Sequence, residues 1–165
     1  MNEIFERTSV RYYTDEPVSN DDVQKLMKAA MAAPSAVNLQ PWQFIVLQNP
    51  ENLKKASRIS PYSKVLEGAG LGVIVLGDLD RSKEGYILQD CSAAVENMLL
   101  EAVTLGLGGV WLGVYPEQDR MDAITKMFDL PANLLPVCMV SIGHPRTKQL
   151  PRLKFDPAKI HYEKY

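Results

Sequence analysis

At 165 residues with 46% hydrophobic side chains, the chain has the size of one domain and can bury a core without metals or disulfides. Its 18 basic and 20 acidic residues leave a formal net charge of -2, which excludes a global field for nucleic acid or an anionic membrane. Any anion site must therefore be local.

In chain order, a short helix is expected over residues 2–7. Pro17-Val18-Ser19 then leads into Asn20-Asp21-Asp22, where Ser19 or Asn20 can cap a helix and the acids suit its positive end. Val23, Leu26, Met27, Ala30 and Met31 continue at helical spacing. Residues 43–48 (QFIVLQ) read as a buried strand, and Pro50-Glu51 opens a helix running towards Ser60. Residues 71–76 (LGVIVL) read as a second strand. From about residue 82 to 105, Leu88, Cys91, Ala94, Val95, Met98, Leu99, Ala102 and Val103 keep the i, i+3, i+4, i+7 pattern of a long core helix, which Gly106 ends. Two further strands are expected at 109–114 and 136–142, with a helix at about 116–128 between them. The proline-rich tail after Gly143 has no helical period and reads as extended.

Several chemistries drop out. The clusters Gly68-Ala69-Gly70-Leu71-Gly72 and Gly106-Leu107-Gly108-Gly109 precede strands, whereas a dinucleotide fingerprint follows a strand and opens a helix, so both read as caps and tight packing. There is no P-loop and no G-x-S-x-G elbow, and His144 and His161 lack metal spacing, so no metal site is expected. Cys91 and Cys138 sit in apolar runs and read as buried free thiols. The first residues, MNEIFERTSVR, carry charges where a signal peptide needs an apolar core, and no run approaches ~20 apolar residues, so a cytoplasmic protein with no membrane and no nucleic-acid partner is expected.

What remains is a pair of cationic clusters at opposite ends of the chain. Arg7-Thr8-Ser9-Val10-Arg11 sets two guanidinium groups around two hydroxyls, and Arg152-Leu153-Lys154 adds two cations at alternating positions. Either alone reads as a solvated charged face. If the chain ends meet, they form a cup of phosphate donors. The stretch APSAVNLQPWQF at 33–44 is also denser in prolines and polar groups than a helix-to-strand turn requires.

These elements resemble the FMN-dependent nitroreductase family, in particular its short members. The resemblance is carried by Arg7-x-Ser9-x-Arg11; Ala33-Pro34-Ser35-Ala36-x-Asn38-x-Gln40-Pro41-Trp42-x-Phe44; Asp90-x-Ser92-Ala93-Ala94-x-x-Asn97; Gly106-Leu107-Gly108-x-x-Trp111-x-Gly113-Val114-Tyr115-Pro116; and Phe155-Asp156-Pro157-x-x-Ile160-His161-Tyr162. They occur in the family's order across nearly the whole chain.

The resemblance implies an α+β fold, a mainly antiparallel sheet flanked by helices, in an intertwined homodimer with FMN at the interface. It implies that residues 1–165 form one domain whose tail, 145–165, wraps the partner. Arg7, Thr8 and Ser9 resemble the phosphate and ribityl donors, and Arg11 the cation at the flavin pyrimidine edge. Pro34, Ser35, Ala36 and Asn38 resemble the loop that one subunit lays against the other's flavin, with Trp42 a core or interface aromatic. Trp111, Leu112 and Gly113 resemble the segment whose backbone passes the ring, and Arg152 or Lys154 the late cation over the phosphate. The activity implied is two-electron transfer from NADH or NADPH to nitroaromatics, quinones or a similar small acceptor, with no protein catalytic residue. A flavin-binding or storage protein without turnover is the alternative. Larger relatives carry an insertion where this chain has only residues 80–88.

Overall fold

Ser19 stops one segment and starts another: its hydroxyl accepts from the Asp22 amide, and the helix begins at the next residue. The computed structural model describes residues 2–83, 85–147, 149–152 and 154–165. In order these form α1 (Glu3–Glu6), α2 (Asn20–Met31), a 3-10 turn (Ala36–Asn38), β1 (Trp42–Leu47), α3 (Pro50–Ala56), a second 3-10 turn (Ser63–Gly68), β2 (Leu71–Asp78), α4 (Ile87–Thr104), β3 (Gly108–Gly113), α5 (Gln118–Phe128), β4 (Leu134–Gly143) and a last 3-10 turn (Pro157–Lys159).

The four strands make one sheet, ordered β1-β2-β4-β3, in which every pairing is antiparallel. The expected α+β class holds. The central strands β2 and β4 carry apolar residues on both faces, and the sheet separates two cores. On one face Val73, Val75, Cys138, Val140 and Ile142 pack against α2 and α4. On the other Ile74, Leu76, Val110, Leu112 and Met139 pack against Leu53, Leu66 and Ile124. Cys91 and Cys138 are free buried thiols, as expected. Burial, joined by the charge of Asp90, pushes the Cys91 thiol up to about 12, and burial pushes Cys138 well above its ordinary value, so neither is a nucleophile at neutral pH.

Three features depart most from expectation, while other element ends shift by one or two residues. The stretch QFIVLQ belongs to an edge strand, with Gln43 and Val46 exposed, because an apolar run looks alike at the edge and in the middle of a sheet. The long helix begins at Ile87 and not near Ser82, since Gly85 takes φ +82°, which no helix accepts. α3 stops at Ala56, where Ser57, Ser60 and Ser63 take over the backbone bonding: the Ser60 amide donates to Ser63 Oγ at 2.8 Å, and Ser63 Oγ donates to Ser60 O at 2.7 Å. The other end of α4 follows expectation. Gly106 at φ +72° closes it with Leu107 N–H bonded to Ala102 O at 2.7 Å and Gly106 N–H to Val103 O at 3.0 Å, the αL termination that a glycine favours.

The segment 7–14 docks across the β3–β4 end of the sheet. Val10 N–H donates to Gly109 O at 3.0 Å, Thr14 N–H to His144 O at 2.9 Å, and Arg146 N–H returns to Tyr12 O at 3.0 Å. The buried Tyr13 hydroxyl donates to Val10 O at 2.8 Å and Ser141 O at 3.0 Å. From Arg146 onward every described residue is exposed. Among the described residues no helix is long and apolar enough to cross a membrane, and no cluster of His, Cys, Asp and Glu could hold a metal ion.

Burial pushes the Tyr13 phenol up to about 12 from an ordinary value of 10.0, against the pull of Arg11's charge. Below about pH 10 the folded and unfolded chains both keep this proton; between about 10 and 12 only the unfolded chain loses it, so stability falls as pH rises through that window, by up to about 1.4 kcal/mol per pH unit. Urea unfolding from pH 8 to 11 is expected to show a steeper loss for the parent than for Tyr13→Phe. Parallel slopes would mean that the phenol ionises freely in the folded chain.

Candidate functional site

The two cationic clusters meet. A cleft of about 890 Å³ is lined by Arg7, Thr8, Ser9 and Arg11 from one end of the chain and by Arg152 and Lys154 from the other, with Phe5, Leu150 and Phe155 as apolar walls. The alternation of the docked segment sets this up. Val10 is buried against the sheet between Ser9 and Arg11, which therefore face out; Tyr13, three positions on, is buried too and departs from the alternation. Two glycines make the docking possible. A Cβ on Gly108 would lie 2.5 Å from Val10 Cγ2, and one on Gly143 would lie 2.9 Å from the Tyr13 ring. The cluster that includes Gly108 thus serves packing, as its place before a strand indicated.

Within the cleft, Arg7 Nε lies 3.6 Å from Glu96 Oε1 on α4, which aims the guanidinium, and Arg11 donates to Ser9 O at 3.4 Å. Among the described residues, Arg11, Arg152 and Lys154 make no ion pair and no carboxylate lines the cleft. Four cations and two hydroxyls line the cleft, Arg7 already paired with Glu96 and the other three in no ion pair among the described residues; this is donor chemistry suited to a phosphate monoester dianion.

Arg11 also lines a second cleft, of about 760 Å³, with Tyr12, Tyr62, Trp111, Leu112, Gly113 and Arg146. Along β3 the Leu112 side chain enters the core, while Trp111 and Gly113 lie on the exposed side. At Gly113 an added Cβ would meet no atom within 4 Å, so nothing in this chain's own packing demands a glycine there. A planar group laid against the strand would. The residues present therefore fit FMN at both ends: donors for one phosphate, and at Gly113 a strand position with no side chain where a ring could approach.

Pro34, Ser35, Ala36 and Asn38 line neither cleft. Their loop is held by its own hydrogen bonds as much as by prolines: Gln40 N–H donates to Ser35 Oγ, Gln40 Nε2 donates to Asn38 Oδ1, and Ala36 N–H donates to Asp90 Oδ1, each at 2.9 Å. Val37, Asn38 and Gln40 all take positive φ, at 53°, 58° and 51°. Such angles cost on the order of 1–3 kcal/mol each outside glycine, and a β-branched residue is the least suited to them. Trp42 is buried in the core beside this loop.

Reasoning from sequence did not assign roles to Tyr13, Asp90 or Glu96. Asp90 gave a signal, as a lone acid on the apolar face of a helix and inside one of the matched motifs; Tyr13 gave none, since its partners are backbone carbonyls at Val10 and Ser141.

A profile described as the nitroreductase family matches residues 4–64 and 60–144. A relative from Archaeoglobus fulgidus, provisionally named an NADH dehydrogenase/NAD(P)H nitroreductase, is 43% identical over 98% of this chain and 96% of its own. A crystal structure of a Bacteroides thetaiotaomicron protein with the same provisional name superposes with a TM-score of 0.94 at 42% identity, covering 99% of this chain and 96% of that one. The crystal structure of a Desulfovibrio desulfuricans protein, provisionally named a nitroreductase and solved in complex with FMN, gives a TM-score of 0.85 at 29% identity over 99% of this chain and 95% of that one. The chain belongs to the nitroreductase family.

If Gly108 serves the docking of Val10, Gly108→Ala is expected to cost about 1–3 kcal/mol through overpacking. Gly113→Ala, with open space around it, should change the stability of the flavin-free protein by no more than about 0.5 kcal/mol. Urea titration of both variants checks this, and equal stabilities for the two would overturn the packing account.

Proposed function

We propose that this chain is an FMN-dependent oxidoreductase that takes two electrons from NADH or NADPH and delivers them to nitroaromatics, quinones or a similar small acceptor. The observation that carries this reading is the carboxylate-free cleft where Arg7, Thr8, Ser9 and Arg11 meet Arg152 and Lys154, sharing Arg11 with a second cleft beside Gly113. FMN, when bound, supplies the two-electron carrier that takes a hydride from the nicotinamide and yields one to the acceptor in a separate half-reaction. The chain's own residues bind and orient. Arg7, Thr8, Ser9 and the late cations Arg152 and Lys154 hold the phosphate end; Arg11 brings a fixed positive charge that favours electron uptake by a group beside it. The backbone of Trp111, Leu112 and Gly113 leaves room for the ring. No side chain is assigned proton transfer, which solvent can serve.

The same reading makes the protein one domain working as a homodimer. The chain exposes 10243 Å². That is about 2,000 Å² more than the roughly 8,200 Å² of a compact monomer of 18.5 kDa, an excess of the size an obligate interface removes. Leu150, Phe155, Ile160, Tyr162 and Tyr165 are exposed apolar groups along the tail that such an interface could cover. The tail, residues 145–165, then wraps the partner, and the loop bearing Pro34, Ser35, Ala36 and Asn38 meets the flavin held mainly by the other subunit.

Mass spectrometry of the yellow protein should find FMN at about one per chain, and NADH or NADPH under argon should bleach it, with a quinone restoring the colour. Stable colour in both nicotinamides would favour a flavin-storage protein. Arg7→Ala should weaken FMN binding about 10- to 150-fold, the equivalent of 1.5–3 kcal/mol for a charge-assisted phosphate contact; unchanged retention through dialysis would remove Arg7 from the site. Deleting residues from Pro157 onward, which spares all six proposed phosphate-cleft residues, should give a colourless monomer or aggregate in sedimentation. A folded monomer with stoichiometric FMN would overturn the shared site.

A further inference from the structure

We infer that Asp90 is a positioning residue for the flavin site: its buried carboxylate holds the strained loop 34–40 in the one shape that presents Val37 and Asn38 outward. The functional half of this inference rests on the reading above; the structural half does not.

Asp90 sits in the first turn of α4, where the helix N-terminus favours a carboxylate. It is 5% exposed, and the contact from Ala36 N–H to its Oδ1, 2.9 Å long, reaches across 54 positions of sequence. Ala36 opens the 3-10 turn, so this one bond fixes where the turn starts. Inside the turn the remaining bonds are local: Asn38 N–H to Ser35 O at 3.0 Å and Gln40 N–H to Ser35 Oγ at 2.9 Å. They fold the loop on itself, and Asp90 fixes it to the body of the protein.

Two costs mark the arrangement as built for something other than stability. The second carboxylate oxygen of Asp90 is buried and, among the described residues, has no hydrogen-bond partner. The loop in turn holds three non-glycine residues at positive φ, and Val37 gains no burial in return, being 77% exposed. A loop selected only to reverse the chain would relax one of these costs, most simply with a glycine at 37 or 38. The strained tip instead stays open, with Val37 and Asn38 both exposed, so that a second subunit's ligand could meet it.

Two variants test this from opposite sides of the bond. Asp90→Ala removes the acceptor, and Ala36→Pro removes the donor at a helix-opening position that tolerates proline. Hydrogen exchange at the Asn38 and Gln40 amides of the full-length protein should quicken about tenfold or more in each, while amides of β2 and β4 keep the parent's rates. The FMN Kd should rise about tenfold or more in each, as for the loss of a charge-assisted bond, and no further in the double variant because the bond is shared. Unchanged exchange at Asn38 and Gln40 would overturn the holding role even if affinity fell. Quickened exchange with an unchanged FMN Kd would overturn the link to the flavin. A parent chain without FMN affinity would overturn the functional reading and the flavin half of this inference, while the exchange data still decide whether Asp90 holds the loop.

Discussion

The candidate site depends on one close approach, the docking of Val10 and Tyr13 onto the glycine-cleared ends of β3 and β4. Its strength comes from a buried phenol whose one proton lies between two backbone carbonyls, and its specificity from the absence of side chains at Gly108 and Gly143. An extended segment exposes alternate residues, so burying position 10 decides which face positions 9 and 11 present, while Tyr13 holds the segment beyond the point where that alternation breaks. The outward direction of Ser9 and Arg11 is thus a packing result before it is a binding one. The same docking carries Tyr12 O to the Arg146 amide, which sets the course on which the chain leaves the domain towards Arg152 and Lys154. One packed contact therefore brings both ends of the chain to one cleft.

The second reference is α4. Glu96, six residues beyond Asp90, meets Arg7, while Asp90 itself meets Ala36. Six residues of helix span about 9 Å, so the phosphate-side arginine and the strained loop are gauged against the same rigid rod. Its apolar face fills the core, its C-terminus is closed by Gly106, and it presents these two carboxylates at its margins. In the proposed dimer the loop and the Arg7 cleft of one chain serve different flavins, and α4 is then the element that keeps the two sites in register.

Much of this was legible in the sequence because it is written in local patterns. The helical period from Leu88 to Val103, the Ser19 cap, the Gly106 stop and the apolar runs of β2 and β4 each depend on neighbours a few residues apart. The convergence of Arg7 and Arg152 was posed as a condition, since no local rule makes distant cations meet. What stayed hidden is what spans the chain. The bond from Ala36 to Asp90 crosses 54 positions and that from Tyr13 to Ser141 crosses 128. The left-handed backbone at Val37 was hidden for another reason: it contradicts the residue's own preference, and only tertiary bonds can impose that.

A chain of net charge -2 that gathers four cations in one cleft also separates two quantities that composition merges. Beyond about 8–10 Å, salt screens each charge, so the overall balance governs solubility and the avoidance of polyanions, while the cleft acts only on what enters it. Phe5, Leu150 and Phe155 line the cleft beside the cations while remaining largely exposed themselves. In the proposed function a small phosphate monoester would be the group that enters and meets these cations. Near charge balance, the chain as a whole gives a polyanion little long-range attraction, so a preference for a small anion would follow from where the charges lie and not from how many there are.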